Sequence, residues 1–233
     1  MSVLRSTVPN LMKIEAQGLK HIPAHGPALL VGDHPNIMDG IALAVACPRP
    51  VRILVAAELC TSPLVEKMIR NLGWLPVERH QGGKNGDVFR ECLEALENGE
   101  VVAVFPEGKT NYGKELLPFK SGAALLAHRS GVPVIPFSVK GTEELYPDGS
   151  RTLHSGRVVM NFGPALKFEK SGRDVPAGFV RETLEVLRDS IADLKADIAS
   201  LKTGRMRSIP WHGLGAACLV KSLTLALLTV KWR

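Results

Sequence analysis

The chain has 233 residues, 45% hydrophobic and 22% charged, with a net charge of +6. That is room for one domain with a sizeable core and an appendage, and the absence of long Ser/Gly/Pro-rich or repeated stretches excludes a disordered or repeat protein. The excess positive charge falls entirely in residues 202–233, where Lys202, Arg205, Arg207, Lys221, Lys231 and Arg233 stand without a single Asp or Glu.

The N-terminal run MSVLRSTVPNLMKIEAQG lacks the continuous apolar core of a secretory signal, so the chain is expected to stay inside the cell. Residues 1–17 read as an N-terminal arm. From there short apolar runs alternate with helical patterns. PALLVG (27–32), VRILVAA (51–57), GWLPV (73–77), VVAVF (101–105), PVIPFSV (133–139) and RVVMNF (157–162) read as strands. Helical patterns fall at about 38–46, 62–71, 86–97 and 121–130. This rhythm predicts an α/β domain over residues 18–170, a largely parallel sheet flanked by helices, with its site beyond the carboxyl ends of the strands.

After residue 174 the character changes. Val180, Leu184, Leu187, Ile191, Leu194, Ile198 and Leu201 are spaced 4-3-4-3-4-3, the stripe of a long amphipathic helix over 174–203. Such a stripe packs on the domain or seams a homodimer, and the oligomeric state stays open. The remaining segment, 204–233, is basic and apolar. Its stretch Leu214–Val230 is interrupted by Lys221 and is marginal for a membrane span, which needs roughly 20 predominantly apolar residues. A basic apolar segment ending Lys-Trp-Arg suits a membrane interface, so residues 208–233 are expected to contact a membrane surface. Nucleic acid is not the expected partner, because no dense cationic run is interleaved with aromatic residues. The four cysteines, Cys47, Cys60, Cys92 and Cys218, match neither a metal nor a disulfide spacing and read as reduced thiols.

Four blocks carry the chemistry. In GDHPNIMDG, Pro35 keeps His34 extended at the end of a strand, while Asp39 falls in the first turn of the next helix. Imidazole and carboxylate then come within reach, an arrangement suited to taking a proton from a hydroxyl near neutral pH. Alone, H-x-x-x-x-D is a short motif that a structural histidine also satisfies. In GWLPVER, a strand opened by Gly73 ends at Arg79, a permanently charged fork suited to phosphate. FPEG, Phe105 to Gly108, follows another strand and is trailed by Lys109. VPVIP, Val132 to Pro136, would wall an apolar channel.

These blocks, in this order over about residues 14–165, resemble the glycerolipid acyltransferases that include 1-acylglycerol-3-phosphate acyltransferase. Within the family, DGIALAVACPRPVRILVA and KSGAALLAHRSG look most like the branch acting on 2-acylglycerophosphoethanolamine. The resemblance implies a transferase of phospholipid biosynthesis at the cytoplasmic membrane face. It would move a fatty acyl group from acyl-CoA or acyl carrier protein to a lysophospholipid hydroxyl, with acyl-CoA as co-substrate and no other cofactor. The acceptor would be 1-acylglycerol-3-phosphate first, with lysophosphatidylethanolamine and glycerol-3-phosphate as alternatives.

By position, His34 would be the general base and Asp39 its partner. Arg79 would hold the acceptor's phosphate, Glu107 and Gly108 would shape the acceptor site with Asn36 and Gly73 as further substrate-binding positions, and Pro133 and Pro136 would border the acyl donor. The chain also departs from the family. Asp33 and Asn36 replace a common Asn and Ser around the histidine, and Lys109, Thr110 and Asn111 replace Thr-Arg-Ser after FPEG, so that Lys109 would supply the cation. Lys120 in FKSG either faces the phosphate or solvates a helix start. The opposing classes are a non-catalytic lipid-binding module and a P-loop protein. AVFPEGKT is one glycine short of G-x-x-x-x-G-K-[ST], but Pro106 offers no N–H, Glu107 would repel a phosphate, and Gly113 and Pro118 interrupt the required helix. No nucleophile elbow and no metal-ligand spacing occurs, so no metal is expected.

Overall fold

The computed structural model describes residues 12–60, 62–78, 85–148, 153–172 and 174–209. They form an eight-stranded mixed sheet between two layers of helices. The strands are β1 (Met12–Gln17), β2 (Ala28–Gly32), β3 (Val51–Ala56), β4 (Leu75–Val77), β5 (Val101–Val104), β6 (Val134–Lys140), β7 (Leu153–Phe162) and β8 (Gly204–Ile209). The helices are α1 (Asp39–Ala46), α2 (Pro63–Asn71), α3 (Asn85–Glu97), α4 (Gly122–Ser130), α5 (Thr142–Leu145) and α6 (Ala177–Ala199).

The sheet order is β1-β7-β6-β2-β5-β3-β4, with β8 also pairing β7. Strands β2 to β6 all run one way, as the α/β rhythm predicts, while β7 is antiparallel to β6 and carries β1 parallel on it. The segment Met12–Gln17, expected as part of an arm, is thus a strand of the sheet. Side chains alternate between two cores because successive residues of a strand point to opposite faces. Leu30, Val101, Ala103, Ile135 and Phe137 face one core together with Ile41 and Leu43 of α1. Leu29, Val31, Val102, Val104 and Val134 face the other, closed by α3, α4 and α6.

Proline in a central strand normally removes a ladder bond. Here Pro136 sits in β6 opposite Val31 of β2 without that loss. Val134 exchanges backbone bonds with Leu166 at 2.9 and 2.8 Å, and Pro136 gives its carbonyl to the Gly163 N–H at 2.8 Å. By strand alternation its missing N–H faces that same side, where β7 has already ended. The ring therefore costs β2 nothing.

The apolar stripe of α6 is used inside the chain: Leu187, Ile191, Leu194 and Ile198 are buried on its own domain. Of the basic apolar tail, 204–209 is strand β8, and 210–233 lie outside the described residues. No helix among the described residues is long and apolar enough to cross a membrane. Cys60 and Cys92 are free thiols, and burial pushes the Cys92 thiol up to about 12.

Candidate active site

Strands β2 and β5 are neighbours in parallel, with Val31 opposite Val104. Continuing three residues past each pair brings His34 and Glu107 side by side at the carboxyl end of the sheet. The two motifs that carry the resemblance meet because their strands are adjacent.

His34 lies with its Nδ1 2.7 Å from Asp39 Oδ2. Asp39 opens α1 and is fully buried. Its Oδ2 also accepts the Asn36 N–H at 2.7 Å, and its Oδ1 accepts the Thr142 hydroxyl at 2.5 Å. The Asp39 N–H returns to the Asn36 carbonyl at 3.1 Å, so the turn closes on itself. Asn36 is buried; its side chain holds Tyr146 O at 2.7 Å and receives the Met38 N–H at 3.2 Å. A carboxylate can only accept, so Nδ1 of His34 carries the hydrogen and Nε2 holds the lone pair. No described residue is hydrogen-bonded to Nε2. The ring stacks on Phe105 at 4.3 Å between centroids, and Phe105 meets Phe137 edge-on at 5.8 Å. Gly32 makes room for that column, since a Cβ there would stand 2.4 Å from the Phe137 ring.

Glu107 is buried and fastens the loops together. It accepts the His34 N–H at 2.9 Å, the Asn111 side chain at 2.9 and 3.1 Å, and the Leu117 N–H at 2.8 Å. Asn111 N–H in turn binds the His34 carbonyl at 2.8 Å. Both Glu107 oxygens are therefore committed to holding the two loops. Gly108 adopts φ +68°, and a Cβ on it would stand 2.6 Å from Lys120 Nζ.

A cavity of about 530 Å³ opens on His34 and runs over apolar side chains such as Ile41, Ile53, Trp74 and Phe89. Gly108 and Lys120 line it, as do Glu58 and Glu78. Lys109, expected to supply the cation, is exposed, whereas Lys120 reaches the wall. Gly73 takes φ +75° and ends α2, which turns Trp74 into the lining. Arg79 lies among residues 79–84, outside the described residues. Pro133 and Pro136 belong to the start and middle of the β6 segment rather than to the cavity lining; Pro136 packs toward Gly163. Sequence reasoning missed Thr142, which reaches Asp39 from 103 residues away.

The sequence model of the family described as Acyltransferase matches residues 13–140, more than half of the chain. The chain belongs to that acyltransferase family. It is similar to a 1-acyl-sn-glycerol-3-phosphate acyltransferase of Escherichia coli (strain K12), 24% identical over 81% of this chain and 76% of the relative. A chloroplastic 1-acyl-sn-glycerol-3-phosphate acyltransferase of Brassica napus is 29% identical over 60% of this chain. The chain spans about two fifths of that plant relative's length, 41%. Among solved structures, the 1-acyl-sn-glycerophosphate acyltransferase from Thermotoga maritima superposes with a TM-score of 0.60 at 27% identity, covering 79% of this chain and 73% of that one. The mixed sheet, its flanking helices and the long C-terminal helix are the fold of this acyltransferase.

Proposed function

We propose that this acyltransferase moves a fatty acyl group from a thioester carrier, acyl-CoA or acyl carrier protein, to the free hydroxyl of a lysophospholipid, 1-acylglycerol-3-phosphate first. The observation that carries the reading is the His34–Asp39 pair with Nε2 unengaged at the mouth of an apolar cavity. A cavity of about 530 Å³ falls within the ~300–1,000 Å³ of small-molecule sites. Its apolar walls suit an acyl chain, and Lys120 suits the acceptor's phosphate as a point charge. The relatives' printed activities support this acceptor.

His34 Nε2 removes the hydroxyl proton while Asp39 steadies the resulting imidazolium through Nδ1–H. The acceptor oxygen attacks the thioester carbonyl, the C–S bond breaks, and the departing sulfur takes the proton back from Nε2. Asp39 serves only as an acceptor in this arrangement, because the Asn36 N–H, the Thr142 hydroxyl and the His34 Nδ1–H all point at it. In the same reading, residues 208–233 place the site at the cytoplasmic face of a membrane. Removing 210–233 leaves β8 intact and is expected to move the protein from vesicles to the soluble fraction.

The deciding experiment offers acyl-CoA and lysophosphatidate to the wild-type chain and to His34→Ala, following thiol release and phospholipid together. Stoichiometric thiol and phospholipid from the wild type, and neither from the variant, support the reading. Free thiol without phospholipid would make the chain a thioesterase, and an active His34→Ala would remove the histidine from the mechanism.

A further inference from the structure

The mechanism leaves two buried or bridging groups unused, and both lead to α6. Asp33, the residue immediately before His34, is fully buried. Its Oδ1 accepts the Val139 N–H of β6 at 3.0 Å, and its Oδ2 meets Lys195 Nζ of α6 at 3.0 Å across 162 residues of sequence. Seven residues earlier on the same helix, Arg188 donates to the Leu116 and Leu117 carbonyls, both at 2.9 Å. Leu117 is the residue whose N–H holds Glu107, and Glu107 holds the His34 N–H. Residues seven apart on a helix share a face. One face of α6 thus holds both loops that frame the imidazole: Lys195 the loop after β2, Arg188 the loop after β5.

The far end of the helix is fixed as well. Lys140 Nζ binds the Ala199 carbonyl and, at 2.9 Å, the Leu201 carbonyl. Thr203 binds Glu144 of α5 at 2.7 Å, next to the Thr142 that bonds Asp39.

We propose that Lys195, acting through Asp33, is a positioning residue for the His34–Asp39 pair, and that α6 is part of the catalytic apparatus of this chain rather than a cover on its core. The proposal rests on the reading of that pair as the proton-transferring group. Asp33 is a carboxylate shut away from solvent, and Lys195 is the cation that lets it stay charged there. The charges facing Asp33 are Lys195 from α6 and Asp39 from α1; Glu143 of α5, itself raised by burial, faces Asp39 in turn. Burial raises the Asp33 carboxyl to about 6, and Lys195 opposes that rise. Without Lys195, Asp33 is a buried carboxyl whose ionised form has lost its counter-ion. On taking a proton it becomes a weaker acceptor for the Val139 N–H, and the backbone leading into His34 loses its fixed position.

The test is a cycle of Lys195→Met, Lys195→Arg, Asp33→Asn and the double variant Asp33→Asn/Lys195→Met, with kcat and KM measured for acyl-CoA and lysophosphatidate. The His34 Nδ1–H resonance is recorded by NMR on each folded protein. Lys195→Met is expected to lower kcat at least tenfold with KM within about threefold, and to broaden or displace the His34 resonance. Lys195→Arg and the double variant are expected to restore both, since Arg keeps the cation and Asn needs none. Wild-type kcat and an unmoved resonance in Lys195→Met would overturn the proposal. So would a double variant as impaired as Lys195→Met, because that would make the lysine a packing residue. If the wild-type chain transfers no acyl group, the functional reading fails on its own, and the resonance still decides whether Lys195 positions His34.

Discussion

Two regions of this protein are each organised around a histidine, half-buried His34 and buried His128, and they show what separates a site from a brace. At the carboxyl end of β2, His34 spends Nδ1 on Asp39 and keeps Nε2 facing a cavity. Between α4 and α6, His128 spends both nitrogens. Its Nδ1 donates to the Glu169 carbonyl at 2.8 Å and its Nε2 accepts the Thr183 hydroxyl at 2.8 Å. Both rings also lie against phenylalanines, Phe105 for His34 and Phe179 for His128. Residue type and an aromatic neighbour are therefore common to the two. His34 differs in being half-buried rather than buried, and in one lone pair with nothing among the described residues to satisfy it. A histidine with both nitrogens bonded ties elements together, whereas one with an unengaged nitrogen over a cavity can take a proton.

The comparison is broken or sharpened most strongly at His34 itself. His34→Ala is expected to lower acyl transfer by about 10²–10⁴-fold, about 3–5 kcal/mol in the barrier, with a melting temperature near that of the wild type. Asp39→Asn removes an acceptor on which three donors converge, so both activity and stability should fall, the latter by about 2–4 kcal/mol in denaturant titration.

Asp33 supplies a pH test. Its carboxyl titrates at about 6 in the folded protein against an ordinary 3.8. A raised carboxyl means the native state binds more protons than the unfolded state between pH 4 and 6, so this group's contribution to stability falls as pH rises through that window. The fall amounts to about 3 kcal/mol. Asp33→Asn should remove that part of the slope and be more stable than wild type at pH 7, as seen in unfolding curves at pH 4 and pH 7.

His128→Leu should cost about 1–3 kcal/mol of stability by leaving Glu169 O and Thr183 Oγ1 unpaired, and leave kcat unchanged. A fall in kcat at equal folded fraction would end the distinction between the two histidines. The smallest effect is expected of Gly108→Ala. Its φ of +68° makes a side chain cost about 1 kcal/mol, and the new methyl displaces Lys120. A higher KM for the phosphate-bearing acceptor, with KM for the acyl donor unchanged, would mark Lys120 as the acceptor's cation.

Much of this arrangement is local, and the local parts are legible in the sequence. His34 and Asp39 are five residues apart, so a proline after one and a helix start at the other bring them together. The strands of the parallel core announce themselves as continuous apolar runs because both faces are covered. What is not legible depends on distance or on exposure. Strand β1, MKIEAQ, lies at the edge of the sheet with Met12 alone buried and the rest half-buried or exposed, and offers too little apolar sequence to stand out. Thr142 and Lys195 reach the site from 103 and 162 residues away, and nothing in their own surroundings marks them. Lys195 sits beside Leu194 in a stripe that explains the helix without it. Lys109 and Lys120 are both cations near FPEG, and only the turn at Gly108 decides that the second faces the cavity.

The glycine at the end of β2 has a reach its size does not suggest. Gly32, Phe137, Phe105 and His34 form a chain of contacts from the sheet to the imidazole, with Phe137 edge-on to Phe105 and Phe105 stacked on His34. A single methyl at Gly32 would press on the lowest ring, and the tilt would be handed upward until it arrived as a misaimed imidazole. The candidate site is thus suspended from the interior of the fold, and under the proposed mechanism a change that touches neither substrate nor His34 can still spoil the angle at which they meet.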